Sequence, residues 1–319
     1  EVDVRSLCVI REGLAYASGL ADSMFALQGL GSYPITLSGT ESQKQRWLPG
    51  VIEGKAIAAF ALTEPNAGSD VSSMETRATR RVDRWTIEGR KTFITNAGIA
   101  DVYSVFALTQ PDLGSKGMSA FALAADTKGL VVERSIELLA PHPMGEVRFD
   151  ACEASTEHLL GWEGQGFKTA MSTLDVFRPT VGAAALGFAR RALDEAVSYA
   201  KKRVQFGKAL AAMQSTQFAL AEMATELEAA RLLVYRAAWE KDHGAGRVTS
   251  ASSMAKLAAT ESAQRIVDRA LQIHGAVGLV KGHPMERLYR DVRALRIYEG
   301  TSEIQKVIIA RDLLKPEKP

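Results

Sequence analysis

Residues 215–243, STQFALAEMATELEAARLLVYRAAWEKDH, carry the clearest periodicity in the chain. Leu220, Met223, Leu227, Ala230, Val234 and Ala237 recur at alternating three- and four-residue steps. That spacing puts all six on one stripe of an α-helix, as packing in a helical bundle requires. Gly244 and Gly246 mark its end, and Thr249 or Ser250 is placed to cap a following helix that runs to Gly275. Toward the N-terminus the helical reading extends back to Gly166, with a kink or break expected near Arg178 because Pro179 follows it. The tail 315–319, with two prolines, reads as frayed.

Upstream the period changes. Ile57 to Thr63, Trp85 to Glu88, Thr92 to Thr95, Val102 to Leu108, Ser119 to Ala124 and Glu146 to Phe149 are short runs of strand formers separated by Gly and Asp turns. Trp85 to Thr92 reads as a hairpin turning at Gly89. So many short strands suggest a small antiparallel barrel or sandwich. Residues 1–55 read as helical again, with Gly29, Gly31 and Pro34 as punctuation between helices.

The whole chain sets bounds on function. Its 319 residues exceed one ordinary core, and 46% hydrophobic with 24% charged residues is a soluble globular composition. A net charge of +2 from 39 basic and 37 acidic residues points to neither nucleic acid nor an anionic membrane as partner. No apolar run reaches the ~18 residues of a membrane span. Cys8 and Cys152, far apart and without metal-ligand spacing, read as reduced thiols, so no metal site is expected. The chain starts at Glu1 without a signal pattern; a trimmed or truncated start, in a bacterial-type cytoplasm or a mitochondrial matrix, is the expectation.

Six segments have the chemistry of sites. Thr63-Glu64-Pro65-Asn66-Ala67-Gly68-Ser69-Asp70 follows a strand. It is either a loop of turn formers or a backbone that approaches a phosphate, a carbonyl or a flavin edge. Phe93-Ile94-Thr95-Asn96 closes a strand with an aromatic and a hydroxyl suited to a flat cofactor, though such strand ends are common. Arg178 and Arg203 can hold phosphate by bidentate contacts, or simply face water on a helix. Gln272-Ile273-His274-Gly275-Ala276 is accounted for by a helix C-cap. In Tyr298-Glu299-Gly300-Thr301-Ser302-Glu303 the capping of a following helix explains Thr301 or Ser302. It does not explain Glu299, a carboxylate beside an aromatic and outside the helix, which suits a desolvated general base.

Taken together and in this order, these segments resemble the acyl-CoA dehydrogenase family over about residues 10–314. The most specific parts are Thr-Glu-Pro-x-Ala-Gly-Ser-Asp at 63–70 and Tyr-Glu-Gly-Thr-Ser-Glu-Ile-Gln at 298–305, with Arg203-x-Gln-Phe-Gly and Gln272-Ile-His-Gly between them. The resemblance is to the short/medium-chain-like branch, whose base lies in the Tyr-Glu-Gly-Thr motif. Another branch carries its base at the position filled here by Phe177, which accepts no proton.

The resemblance implies a fold that is α+β and mainly α. N-terminal helices (1–55, shortened relative to the family) precede a central antiparallel β-barrel (56–160) and a C-terminal four-helix bundle (161–319), assembled as a homotetramer. It implies FAD held by Phe60, Leu62, Thr63, Gly68, Ser69, Phe93, Ile94 and Thr95. Further FAD contacts are implied for Arg203, Gln205, Phe206, Gln272, Gly275, Ala276, Thr301 and Glu303. Ser69, Asp175, Arg178 and Gly300 match substrate positions, and Glu299 matches the base. The implied activity is α,β-dehydrogenation of an acyl-CoA thioester to a trans-2-enoyl-CoA, with electrons passed to an electron-transferring flavoprotein. The same fold also serves an oxidase, an enoyl reductase or a non-catalytic scaffold. Ala276 departs from the family's usual second glycine there.

Overall fold

The computed structural model describes residues 2–244 and 248–315; Gly246 and the tail beyond Lys315 lie outside the described residues. The chain divides into two compact units, Ser23–Leu174 and Glu1–Asp22 with Asp175–Pro319. The fold is α+β and mainly helical.

The unit Ser23–Leu174 holds the sheet. Its strands are β1 (Ala58–Ala61), β2 (Arg77–Arg81), β3 (Arg84–Thr95), β4 (Val102–Leu108), β5 (Met118–Ala124), β6 (Leu130–Ser135), β7 (Met144–Ser155) and β8 (Leu159–Leu160). The pairing order is β6-β7-β3-β2-β4-β5-β8, with β1 beside β4. This corrects the expected antiparallel barrel. The path ends at β6 on one side and β8 on the other without closing, and β4 pairs in parallel with both β1 and β2.

All seven residues of β4 are buried because the strand is covered on both faces. Tyr103, Val105 and Ala107 enter one core with Trp85, Phe121 and Phe149, whereas Val102, Phe106 and Leu108 enter a second with Ile35, Met118 and Leu160. Alternation along one strand thus feeds two cores.

The expected hairpin at 85–92 is instead a single strand. β3 continues through Gly89 with a register shift against β7, and the turn lies upstream at Val82 and Asp83, between Arg81 and Arg84.

Helix α1 (Val4–Ala17) ends at Ser18, and α2 (Gly19–Ser38) runs unbroken through Gly29, Gly31 and Pro34, so these residues do not punctuate helices. α2 lies against the sheet: Ser104 Oγ donates to Gly31 O at 2.7 Å, and Gln28 pairs with the backbone of Ala56 and Ala58. α3 (Glu41–Ile52) starts in a reciprocal capping box between Thr40 and Gln43.

The other unit is helical. α4 (Gly166–Lys202) passes through Pro179 as one continuous helix, so of the kink or break expected there the break is absent. Proline frees the carbonyl four residues earlier. Here that carbonyl belongs to Asp175, and it accepts from Ser252 Oγ at 3.5 Å.

A short hairpin, β9 (Val204–Gln205) and β10 (Lys208–Ala209), leads to α5 (Gln214–Asp242), α6 (Thr249–His274), α7 (Pro284–Arg293) and α8 (Ser302–Leu313). The α5 stripe is as expected, with Met223, Leu227, Ala230, Val234 and Ala237 buried. Three long helices, α4, α5 and α6, form this unit with α7 and α8 against α6, and α1 against α5. At the crossing of α1 and α4, Gly187 sits where a Cβ would lie 2.4 Å from Glu12 O.

Thr249 opens α6, but its hydroxyl donates to Asp175 Oδ2 at 2.8 Å. Cys8 and Cys152 are free and buried, and burial pushes their thiols up to about 12 and about 11. Among the described residues, no helix is long and apolar enough to cross a membrane, and no cluster of ligands could hold a metal.

Candidate functional site

The candidate residues fall into two groups, one in each unit. In the sheet unit the segment after β1 is held by a buried ion pair that sequence reading missed. Lys91 Nζ donates to Leu62 O at 3.0 Å and to Glu64 Oε1 at 2.7 Å. The Glu64 carboxylate also accepts from Glu75 N at 2.6 Å and Thr76 N at 3.1 Å. Burial opposes the Glu64 charge, yet Lys91 and these bonds outweigh it and hold its pKa below the usual carboxylate range. For Lys91 burial wins, bringing its pKa down to about 8 despite Glu64.

With Leu62 and Glu64 fixed, Thr63 O accepts from Thr92 N at 3.0 Å, and Glu64 closes a tight turn with Ala67. Gly68 and Ser69 then stand exposed. The end of β3 lies beside this segment. A bulge between Lys91 and Ile94 puts Phe93 into left-handed backbone, φ 54°, and leaves its ring 56% exposed. Ile94 and Thr95, the next two residues, are buried. A bulky side chain held in strained backbone and facing outward is an unusual use of an aromatic. It suits a flat ligand such as a flavin ring.

In the helical unit, Glu299 sits in the turn between α7 and α8. It takes a left-handed conformation, φ 54°, followed by Gly300 at φ 93°. Arg178, buried in α4, donates from Nε to Glu299 O at 3.4 Å and from Nη1 to Asp175 Oδ1 at 3.1 Å. Asp175, Arg178, Glu299 and Gly300 therefore form one neighbourhood. Thr301 caps α8 by accepting from Ile304 N at 3.3 Å, and Ser302 Oγ donates to Glu261 Oε1 at 2.5 Å. Glu303 lies exposed in the first turn of α8.

The Glu299 carboxylate has an oxygen, Oε2, that is buried and has no hydrogen-bond partner among the described residues. Burial raises its pKa above the usual range, and Asp22 adds to this. Arg11, Lys256 and Arg178 oppose the rise without cancelling it. Arg11 is itself buried: Asp22 accepts from its Nε and Nη2 at 2.8 Å each, and Thr180 Oγ1 accepts from Nη1 at 2.9 Å.

Arg11, Asp22 and Lys256 are the residues sequence reading missed. Their signal was a charge at a core-facing step of a helix. Val4, Cys8, Arg11 and Ala15 share one buried face of α1, and Ser252, Ala255, Lys256 and Ala259 share one of α6.

Two further segments lie apart from Glu299 in sequence but in the same unit. Gln272, Gly275 and Ala276 are exposed at the C-terminal end of α6, where His274 stacks on Tyr199 at 4.5 Å between ring centres. Four residues beyond Tyr199, Arg203 begins the hairpin, on which Gln205 and Phe206 are exposed. Phe206 is 95% exposed with φ 51°, a second outward aromatic on left-handed backbone.

Three sequence profiles match in order: the acyl-CoA dehydrogenase N-terminal domain at 1–55, the middle domain at 59–152 and the C-terminal domain at 164–314. A 3-(aryl)acrylate reductase of Clostridium sporogenes is 44% identical over 98% of this chain and 84% of its own length. The structure of butyryl-CoA dehydrogenase from Megasphaera elsdenii aligns with a TM-score of 0.95 at 41% identity, over 98% of this chain and 82% of the other. A chain in the structure described as the electron transferring flavoprotein of Acidaminococcus fermentans aligns with a TM-score of 0.95 at 40% identity, over 99% and 83%. Matched along nearly its whole length, the chain belongs to the acyl-CoA dehydrogenase family, flavoprotein oxidoreductases that act on a CH–CH bond.

Proposed function

We propose that this chain converts an acyl-CoA thioester to the trans-2-enoyl-CoA, with Glu299 taking the α-proton and FAD accepting the β-hydrogen. The observation that carries the reading is the buried, unpartnered Oε2 of Glu299. An α-proton beside a thioester is too weakly acidic for a carboxylate in water, so the base must be desolvated and its lone pair left free. Glu299 meets both needs: burial raises its proton affinity, and Arg11, Lys256 and Arg178 place positive charge around it that opposes that rise.

The exposed ring of Phe93, the segment Phe60 to Ser69, and Thr95 fit a flavin. Arg203 to Phe206, Gln272 to Ala276, Thr301 and Glu303 are proposed to hold the rest of FAD, some of them on a neighbouring subunit. When bound, FAD supplies the two-electron acceptor that receives the β-hydrogen as hydride. Ser69, Asp175, Arg178 and Gly300 are proposed to border the substrate. The neighbour named for an electron transferring flavoprotein supports such a protein as the onward acceptor. Exposed Phe206, Leu279 and Val280 provide apolar surface that a homotetramer would cover.

The test is Glu299→Gln, which keeps the shape and removes the base. Bound FAD should be retained, and anaerobic bleaching of the flavin by butyryl-CoA should disappear. Retained turnover would overturn the assignment.

A second reading runs the same site backwards, as an enoyl reductase, and the reductase relative favours it. Glu299 would then start protonated and deliver its proton to the α-carbon, which its raised pKa also permits. Comparing bleaching by saturated thioesters with reoxidation by enoyl thioesters separates the two directions.

A further inference from the structure

We infer that Lys256 is a positioning residue for Glu299: it clamps the turn that carries the carboxylate and supplies a positive charge to that carboxylate's surroundings. The inference rests on Glu299 being the base.

The turn at 298–300 has two successive left-handed residues, and its three carbonyls are met by donors from other parts of the unit. Lys256 Nζ donates to Tyr298 O at 2.7 Å and also to Gly300 O. Gln305 Nε2 donates to Gly300 O at 2.9 Å and to Glu299 O at 3.4 Å, and Arg178 Nε reaches Glu299 O. Lys256 alone among these binds the carbonyls on both sides of Glu299, so one ammonium brackets the residue that carries the carboxylate.

The lysine is 1% exposed on the buried face of α6, and both bonds go to neutral oxygens. A buried ammonium held only by carbonyls is a costly way to secure a turn. It becomes reasonable where its charge has a second use. The charged and titratable groups around Glu299 are Arg11 from α1, Asp22 from α2, Arg178 from α4, Lys256 from α6 and Tyr298 beside it, and Glu261 from α6 and Glu303 from α8 act in turn on Lys256. Arg11 is already matched by Asp22, and Arg178 by Asp175. Lys256 has no such carboxylate partner in hydrogen-bond contact among the described residues. Burial brings its pKa down to about 8, and Glu299 is the foremost group opposing that fall.

The two parts of the role come apart in three variants of the FAD-loaded enzyme. Lys256→Met removes the bonds and the charge, Lys256→Gln keeps an N–H donor without charge, and Lys256→Arg keeps the charge. Anaerobic flavin bleaching by butyryl-CoA is followed across pH, beside Glu299→Gln. For Lys256→Met the rate should fall by about tenfold to a hundredfold, as expected for a displaced reacting group. Its acid limb should move up by about one pH unit, because an opposite charge no longer favours the carboxylate. Lys256→Gln should show the same limb shift with a smaller loss of rate, and Lys256→Arg should return the limb toward its original position.

An unmoved acid limb in both Lys256→Met and Lys256→Gln overturns the inference, while an inactive Glu299→Gln leaves the base assignment standing. Should Lys256→Met fail to retain FAD, Lys256→Gln alone decides. An active Glu299→Gln removes the base assignment, and the role of Lys256 with it.

Discussion

Lys91 Nζ lies 2.7 Å from Glu64 Oε1, with the two side chains 0% and 3% exposed. The pair ties β3 to the segment after β1, and Glu64 also serves two backbone amides. Removing one partner of a buried pair leaves the other charge uncompensated, a cost of about 3–5 kcal/mol. Lys91→Met should therefore lower unfolding stability by about that much in urea titrations. It should also weaken FAD retention through displacement of Thr63. An unchanged urea midpoint would show that the pair contributes nothing net.

Acid should weaken the same unit. Glu146 accepts from Arg134 and from Thr92 Oγ1, and these bonds bring its pKa down to about 2. A carboxylate with a depressed folded pKa contributes stability that is present above the unfolded value, near 4.5. That stability is lost as pH falls through the folded pKa. Glu64, in the same unit, is shifted in the same direction, as is Glu261 in the helical unit. Unfolding midpoints should thus drop steadily between about pH 4.5 and about pH 2, and Glu146→Gln should flatten part of that slope. A Glu146→Gln curve parallel to wild type would exclude the residue from the effect.

Gly187 lies in the interior of α4, where alanine would ordinarily gain about 1 kcal/mol from helix propensity. Its Cβ, however, would meet Glu12 O at 2.4 Å, Ala15 Cβ at 2.9 Å and Tyr16 N at 2.9 Å. Two of those atoms are backbone and cannot swing away. Overpacking costs of about 1–3 kcal/mol should exceed the propensity gain, so Gly187→Ala lowers the melting temperature. A higher melting temperature would mean that α1 yields at this crossing.

The parts legible in sequence were those where one pattern acts alone. β4 was readable over its full length, Val102–Leu108, because a continuous apolar run has a single sheet explanation once its length is known. The α5 stripe was readable for the same reason. β2, Arg-Ala-Thr-Arg-Arg, was missed because four of its five residues face water and carry no strand signature. Gly89, Pro34 and Pro179 misled because their local preference for turns or breaks was overridden by tertiary partners, such as the Ser252 hydroxyl that meets Asp175 O. Glu299 was picked out by its motif, but Arg11, Asp22 and Lys256 come from distant parts of the chain. No local motif announces residues whose role lies in a shared electrostatic neighbourhood.

That neighbourhood yields a prediction of sign. Arg11 and Asp22 form a bidentate buried pair, and they act on Glu299 in opposite senses: Arg11 lowers its pKa and Asp22 raises it. With Glu299 as the base, activity requires the ionised carboxylate, so the acid limb of the pH profile follows its pKa. Asp22→Asn removes the negative member, leaves the Arg11 cation less neutralised, and should move the acid limb to lower pH. Arg11→Met removes the positive member, exposes Glu299 to an unpaired Asp22, and should move the limb to higher pH. Both variants break a buried pair and lose about 3–5 kcal/mol of stability, so loss of stability alone cannot tell them apart. The opposite displacement of two acid limbs, read from flavin bleaching at equal enzyme occupancy, is what a purely structural pair would not produce. Limbs that move in the same direction, or not at all, would show that the pair does not set the proton affinity of Glu299.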